Sequence, residues 1–198
     1  MLTIFRKAIT KITSNNFFAK LLFGVDCRKG STRSQICFAT ILMKKALNKF
    51  VKDGDRILDI GTGSFAIHSI WLKKNKNVDV TATEIDDNII KSAKIAMKDN
   101  KVKFKIEKRD LFKGLKENFD WAIVNPPFAN RQDKSGYEFV ERLLKETPKN
   151  LKLMIAVNSL YVNLDRIEAI IKNSNYKMID IVRTSLMPSR VYIVQRAS

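Results

Sequence analysis

From residue 56 onward the apolar positions follow two alternating rhythms. Short runs at Arg56–Ile60, 77–84, 119–124 and 151–158 are apolar on both sides of the chain and read as strands covered on both faces. Between them the apolar residues step by three and four, which predicts helices over 64–73, 86–99, 135–147 and 163–173. The inward faces are Ile89, Ala93, Ala96 and Met97 in the second, Tyr137, Val140 and Leu144 in the third, and Ile167, Ile170 and Ile171 in the fourth. Strands alternating with helices predict an α/β, Rossmann-like, seven-stranded and mostly parallel sheet with helices on both faces. The last two strands, 176–183 and 190–195, are joined through Pro188-Ser189 with no helix between them, so they pair antiparallel. The run 102–107 differs. Lys101, Lys103 and Lys105 alternate with Val102, Phe104 and Ile106, the pattern of a half-buried strand whose lysines protect a sheet edge. Residues 110–116 form a turn or a short helix.

The first quarter of the chain has another texture. Ile4, Phe5, Ala8, Ile9 and Ile12 fall at helical spacing among Arg6, Lys7 and Lys11, which predicts amphipathic helix within residues 1–23. Residues 24–34 are a loop carrying Arg28, Lys29 and Arg33. A second helix begins at Ser34, with Ile36, Thr40, Met43, Leu47 and Phe50 on one face, and ends at Asp53-Gly54. This suggests two parts: a basic helical extension over 1–52, and a catalytic unit over 53–198.

Charge changes the picture more than size does. The 198 residues hold 37 Lys/Arg against 20 Asp/Glu, a net charge of +17. Residues 1–52 contain 11 Lys/Arg and one acid, Asp26, so +10 of the +17 lies there. Such asymmetry points to a patch for a polyanion, RNA above all, gripped by Arg28, Lys29 and Arg33. Two cysteines and one histidine make no zinc pattern, so no metal is expected. Sparse cysteine fits a reducing cytoplasm. No apolar run is long enough to span a bilayer, and residues 1–23 lack the compact apolar segment of a signal peptide.

The chemistry concentrates at strand ends. Asn125-Pro126-Pro127-Phe128 follows the strand at 119–124, and two prolines cannot continue a sheet interior. An amide, a stiff turn and an aromatic ring therefore sit at a strand's carboxyl end, where open α/β sheets bind ligands. Asp59-Ile60-Gly61-Thr62-Gly63 closes the first strand, and its glycines allow a ligand close approach. Glu84 ends the second strand, where an acid takes both hydroxyls of a ribose, and Ile85 follows it. Asp110 is placed to accept from an adenine amine, with Leu111 or Phe112 against the ring. A carboxylate at Asp59 repels a pyrophosphate and suits the ammonium of an amino acid, which favours S-adenosylmethionine over NAD.

These elements, in this order, resemble the class I S-adenosylmethionine-dependent methyltransferases. Asp59-x-Gly61-x-Gly63 looks like the first motif of that group, Glu84 the second, Asp110 the third, and Asn125-Pro126-Pro127-Phe128 the fourth. The fourth is typical of enzymes that methylate planar exocyclic amines. The chain is most similar to the ribosomal and small-nuclear RNA adenine-N6 branch, and more distantly to the release-factor glutamine methyltransferases. A departure is Phe65, where a third glycine is usual. The resemblance implies that the Asn125 oxygen and the Pro126 carbonyl accept the amine hydrogens, that Pro127 stiffens the turn, and that Phe128 stacks on the base. Arg131 can meet a phosphate and Tyr161 can border the acceptor pocket. The expected activity is N-methylation of adenine N6 or guanine N2 in rRNA or another structured RNA. Three alternatives stand beside it: a protein glutamine N5-methyltransferase, a nicotinamide-dependent oxidoreductase, and a catalytically silent RNA-binding module.

Overall fold

The computed structural model describes residues 16–27, 36–185 and 187–197. The expectations for Ile4, Phe5, Ala8, Ile9 and Ile12, and for Arg28, Lys29 and Arg33, lie outside the described residues. The helices are α1 (Asn16–Phe23), α2 (Phe38–Phe50), α3 (Ile67–Asn75), α4 (Asp87–Asp99), α5 (Lys134–Glu146) and α6 (Leu164–Asn173). The strands are β1 (Arg56–Ile60), β2 (Asp79–Glu84), β3 (Lys105–Lys108), β4 (Trp121–Val124), β5 (Lys152–Asn158), β6 (Tyr176–Thr184) and β7 (Met187–Arg196).

All seven strands form one sheet in the order β3-β2-β1-β4-β5-β7-β6. The pairs β3–β2, β2–β1, β1–β4 and β4–β5 are parallel, and β7 runs antiparallel to both β5 and β6. This is the Rossmann-like architecture expected from the alternation. Strand β3 lies at one edge as expected, but it begins at Lys105 instead of Val102, so Val102 and Phe104 pack against the core from the segment before it. The order reverses between β1 and β4, so a crevice opens at the carboxyl ends of those two strands.

Period-two alternation divides each central strand between two cores. Ile57, Trp121, Ile123, Met154 and Ile193 face a core shared with α1, α2, α3 and α4. Leu58, Ala122, Val124, Leu153 and Tyr192 face α5 and α6. Helix α2 packs on β5 and β7 with Leu42, Met43 and Leu47 almost wholly buried. Burial of each such side chain contributes about 1.5–3 kcal/mol. Although α2 falls within the basic first quarter, it is built into the same core as the sheet.

Other details also differ from the sequence pattern. Helix α3 begins at Ile67 rather than Ser64, because Ala66 takes the left-handed conformation (φ +41) and its N–H closes a turn on the Gly63 carbonyl. Helices α4 and α6 begin one residue late because Asp86 and Asn163 are N-caps, each accepting two backbone N–H groups. Pro188 lies inside β7, not in the connection from β6. The hairpin closes earlier, at the pair Thr184 and Met187. Pro188 is tolerated near the strand's start, where its carbonyl accepts from the N–H and hydroxyl of Ser159.

Candidate active site

The turn from β1 into α3 builds the first wall of the crevice. Gly61 and Gly63 have φ of +67° and +69°, which strains any other residue. The N–H groups of Gly61 and Thr62 are held by the Thr83 carbonyl at 2.9 and 3.1 Å. Asp59 is 4% exposed, and its Oδ2 accepts from the hydroxyls of Thr62 at 2.7 Å and Ser69 at 2.5 Å. Glu84 accepts from the N–H of Ile85 at 2.8 Å and, more loosely, from those of Gly63 and Asp86 at 3.4 Å. The carboxylate at the end of β2 is thus wired to the glycine turn after β1.

A cavity of about 160 Å³ lies over this turn, lined by Asp59, Gly61, Thr62, Gly63 and Asn125. Ile36, Thr40, Phe65, Ile67, His68 and Val124 complete it. The Phe65 ring belongs to the hydrophobic core and is 8% exposed, so the bulk that stands in place of a glycine is turned inward while still bordering the cavity. His68 is buried, and its Nε2–H donates to the Thr40 carbonyl at 3.2 Å. Burial lowers the His68 pKa and outweighs the opposing pull of Asp59, so the ring is neutral at pH 7.

Glu84, Ile85, Asp110 and Leu111 do not line this cavity. Ile85 is 62% exposed beside Glu84. Asp110 is exposed, and one of its oxygens is held by Arg142 at 2.9 Å. Leu111 takes a left-handed φ of +47° and buries its side chain with Phe112 in the second core.

A second cavity, of about 600 Å³, opens on the other side of the tip. It is lined by Asn125, Pro126, Pro127, Phe128 and Ala129 from the β4 loop, by Val157, Asn158, Tyr161 and Val162 from the end of β5, and by Cys37. Asn125 lines both cavities. Its Nδ2 donates to Cys37 Sγ over 4.0 Å, which leaves Oδ1 for another partner. Cys37 caps α2, and the other thiol, Cys27, is buried with its pKa pushed up to about 12. Phe128 meets Tyr137 edge-on, with ring centroids 5.2 Å apart. The ring also rests on Gly136, where a Cβ would lie 2.3 Å from it. Arg131 spends its guanidinium on the Ser159 carbonyl, with contacts of 3.1 and 2.7 Å, and so ties the tip to the turn after β5.

The structure therefore brings Asp59, Gly61, Thr62, Gly63 and Asn125 to one cavity, and Asn125 through Phe128 with Tyr161 to its neighbour. Sequence reasoning missed Ile36, Cys37, Thr40, His68 and Asn158 as lining residues. The helical face through Ile36 and Thr40 was visible, but no local signal showed that it would roof the glycine turn.

The methyltransferase small domain profile matches residues 32–178. The chain belongs to the methyltransferase small domain family. S-adenosylmethionine is the cofactor of this fold and family, and the residues present fit it. Asp59 lines the cavity with a buried carboxylate, the glycine turn gives close backbone approach, and Glu84 braces that turn through the Gly63 N–H. As a small-domain methyltransferase, the chain is 30% identical over 186 residues to the ribosomal protein L11 methyltransferase of Caldicellulosiruptor bescii, covering 94% of this chain and 56% of the relative. It thus spans about half the length of that curated relative. A methyltransferase from Pyrococcus furiosus shares its fold with a TM-score of 0.73 and 23% identity, over 96% of each chain. The T. thermophilus 16S rRNA N2 methyltransferase, solved in complex with AdoMet and guanosine, aligns with a TM-score of 0.62 and 16% identity, over 85% of this chain and 45% of the other. Among the described residues no cluster could hold a metal ion, and no helix is long and apolar enough to cross a membrane.

Proposed function

We propose that this chain is an S-adenosylmethionine-dependent N-methyltransferase acting on an exocyclic amine of an RNA base, adenine N6 or guanine N2. The observation that carries this reading is that Asn125 lines both cavities, so one side chain touches the donor space and the acceptor space. When bound, S-adenosylmethionine supplies an electrophilic sulfonium methyl. The Oδ1 of Asn125 and the Pro126 carbonyl accept the two amine hydrogens, which turns the nitrogen lone pair toward the donor side. With the donor bound, that orientation would let the N–C bond form as the C–S bond breaks, with S-adenosylhomocysteine as leaving group and the amine proton passing to solvent. No strong base is needed, because positioning and oriented dipoles carry the acceleration. Phe128 offers its open face to the extruded base, while Tyr137 and Gly136 hold the ring from the other sides.

The RNA assignment rests on the +17 charge and its concentration in residues 1–52. In this proposal Arg28, Lys29 and Arg33 grip phosphates, Tyr161 borders the base, residues 53–198 together with α2 form the catalytic unit, and the protein works in the cytoplasm on rRNA or another structured RNA. Arg131 acts through the Ser159 turn instead of on a phosphate. A protein acceptor is the second reading, favoured by the likeness to an L11 methyltransferase. Tritium transfer from labelled S-adenosylmethionine to total RNA and to total protein, followed by nucleoside analysis, tests the two. The proposal expects methyladenosine or methylguanosine whose yield falls steeply with salt; label confined to protein overturns it.

A further inference from the structure

Asn158 ends β5 and lines the acceptor cavity, yet no motif marked it. It is 8% exposed. Its Oδ1 accepts from the N–H of Leu160 at 3.0 Å, and its backbone carbonyl accepts from the N–H of Tyr161 at 2.9 Å. This is a side-chain-stabilised turn, and it aims Tyr161 at the cavity. A backbone N–H can only donate, so the atom facing Leu160 must be the amide oxygen, and the orientation of the amide is fixed. The NH2 group then faces away from the turn, and no described protein group takes its hydrogens. The turn explains Oδ1 but not Nδ2. Aspartate would make the same turn without a donor; asparagine adds one.

We propose that Asn158 reads the substrate base by donating from Nδ2 to the ring nitrogen beside the methylated amine. The inference rests on the reading of this cavity as the site of a base amine. In both purines that amine is flanked by a ring nitrogen with an in-plane lone pair: N1 and N7 beside adenine N6, and N3 beside guanine N2. Asn125 supplies an acceptor for the amine, and Asn158, across the same cavity, supplies the complementary donor. The donor–acceptor pattern along one base edge is thus met by two asparagines from different strand ends. A base with a carbonyl in place of the amine carries a proton on the ring nitrogen beside it, so its acceptor would face Asn125 Oδ1, its N–H would face Asn158 Nδ2, and it would be rejected at both.

The variant that separates turn from reading is Asn158→Asp. It keeps Oδ1 for Leu160 and replaces the donor with an acceptor that repels the ring nitrogen. Initial rates of tritium transfer to total RNA are measured for wild type, Asn158→Asp and Asn158→Ala between about pH 6 and pH 8, with melting curves and titration by S-adenosylhomocysteine alongside. Asn158→Asp is expected to melt with wild type, to bind S-adenosylhomocysteine as wild type does, and to transfer ~10-fold or more slowly at about pH 8. Asn158→Ala should be slow at every pH. Wild-type rates in Asn158→Asp, or a parallel loss of S-adenosylhomocysteine binding, would each overturn the inference alone. A wild-type protein that labels protein and not RNA would overturn the reading beneath it.

Discussion

The two cavities on either side of Asn125 are built in different ways. The donor cavity is wired locally. One strand-to-helix turn supplies most of its lining, Asp59 is held by hydroxyls three and ten residues away, and Glu84 braces the turn from a neighbouring strand, with Ile36 and Thr40 as the distant roof. The acceptor cavity is assembled from three distant stretches, around Cys37, Asn125–Ala129 and Val157–Val162. Long-range ties hold them in place: Arg131 on the Ser159 carbonyl, the Tyr137 hydroxyl accepting from Asn163 N–H at 2.8 Å, and Asn125 on Cys37. A locally wired site keeps its shape when the surroundings change. An assembled site can change specificity by moving one segment, because loops on a rigid sheet vary most easily.

The sharpest way to break the comparison is at the residue the two cavities share. Asn125→Ala removes the Oδ1 acceptor from the amine but leaves the glycine turn, Asp59 and Glu84 in place. The rate of methyl transfer should fall by ~10²–10³, as when one preorganised dipole is lost from other active sites. The dissociation constant for S-adenosylhomocysteine, read by isothermal titration, should stay within a few-fold of wild type. Donor binding lost to the same degree as transfer would show that the two cavities do not function separately.

Next in size is Glu84→Ala, confined to the donor side. Hydrogen bonds to a charged carboxylate are worth about 1.5–3 kcal/mol, so donor affinity should drop by ~10–100-fold. Part of that loss would come from the turn itself, since Glu84 also accepts from Gly63 and Ile85 N–H. Saturating donor should then restore most of the rate, because Asn125 and Phe128 are untouched. An unchanged donor affinity would remove Glu84 from the ribose position.

The same difference in construction explains what could be read from the chain beforehand. β1 was found to the residue, and the glycine turn and Glu84 were visible, because each is a short contiguous signal whose chemistry is local. The tip at Asn125 was visible for the same reason: two prolines can only mark a strand's end. Cys37 and Asn158 were not visible. Their roles depend on α2 crossing β5 and β7 and on β5 lying next to β4, which no local pattern reports. Ala66 hid the true start of α3, since a left-handed alanine is not foreseen from residue type. Pro188 was taken for a connection because proline usually ends a strand; here it sits near the β7 start, where the ladder does not need its missing N–H.

On the acceptor side, Gly136→Ala gives a more modest effect that tests how Phe128 is held. An added Cβ would lie 2.3 Å from the Phe128 ring, too close for any contact, so the ring must swing. Helix propensity works the other way: alanine inside α5 is favoured over glycine by about 1 kcal/mol, so the melting temperature should hold or rise. A stable protein with a displaced ring is expected, with KM for RNA raised ~10-fold and donor affinity unchanged. A wild-type KM would show that Phe128 does not meet the base.

The smallest effect sharpens the comparison through pH. His68 lines the donor cavity, while among the described residues no imidazole or carboxyl group lines the acceptor cavity. Burial lowers the His68 pKa below its ordinary 6.5, against the opposing influences of Asp59 and the Thr40 carbonyl. The unfolded chain therefore binds a proton first as the pH falls. The stability that neutral His68 contributes is present above about pH 6.5 and is lost progressively below it. Protonation would also place a cation beside Asp59 and the space for an ammonium, so donor affinity should weaken over the same window. The variant His68→Gln keeps a donor for the Thr40 carbonyl and cannot titrate. Melting temperatures and S-adenosylhomocysteine affinities measured from about pH 7.5 down to about pH 5.5 should decline more steeply for wild type than for His68→Gln. Parallel declines would mean that the imidazole carries none of the acid sensitivity, and that the glycine turn holds its ligand without it.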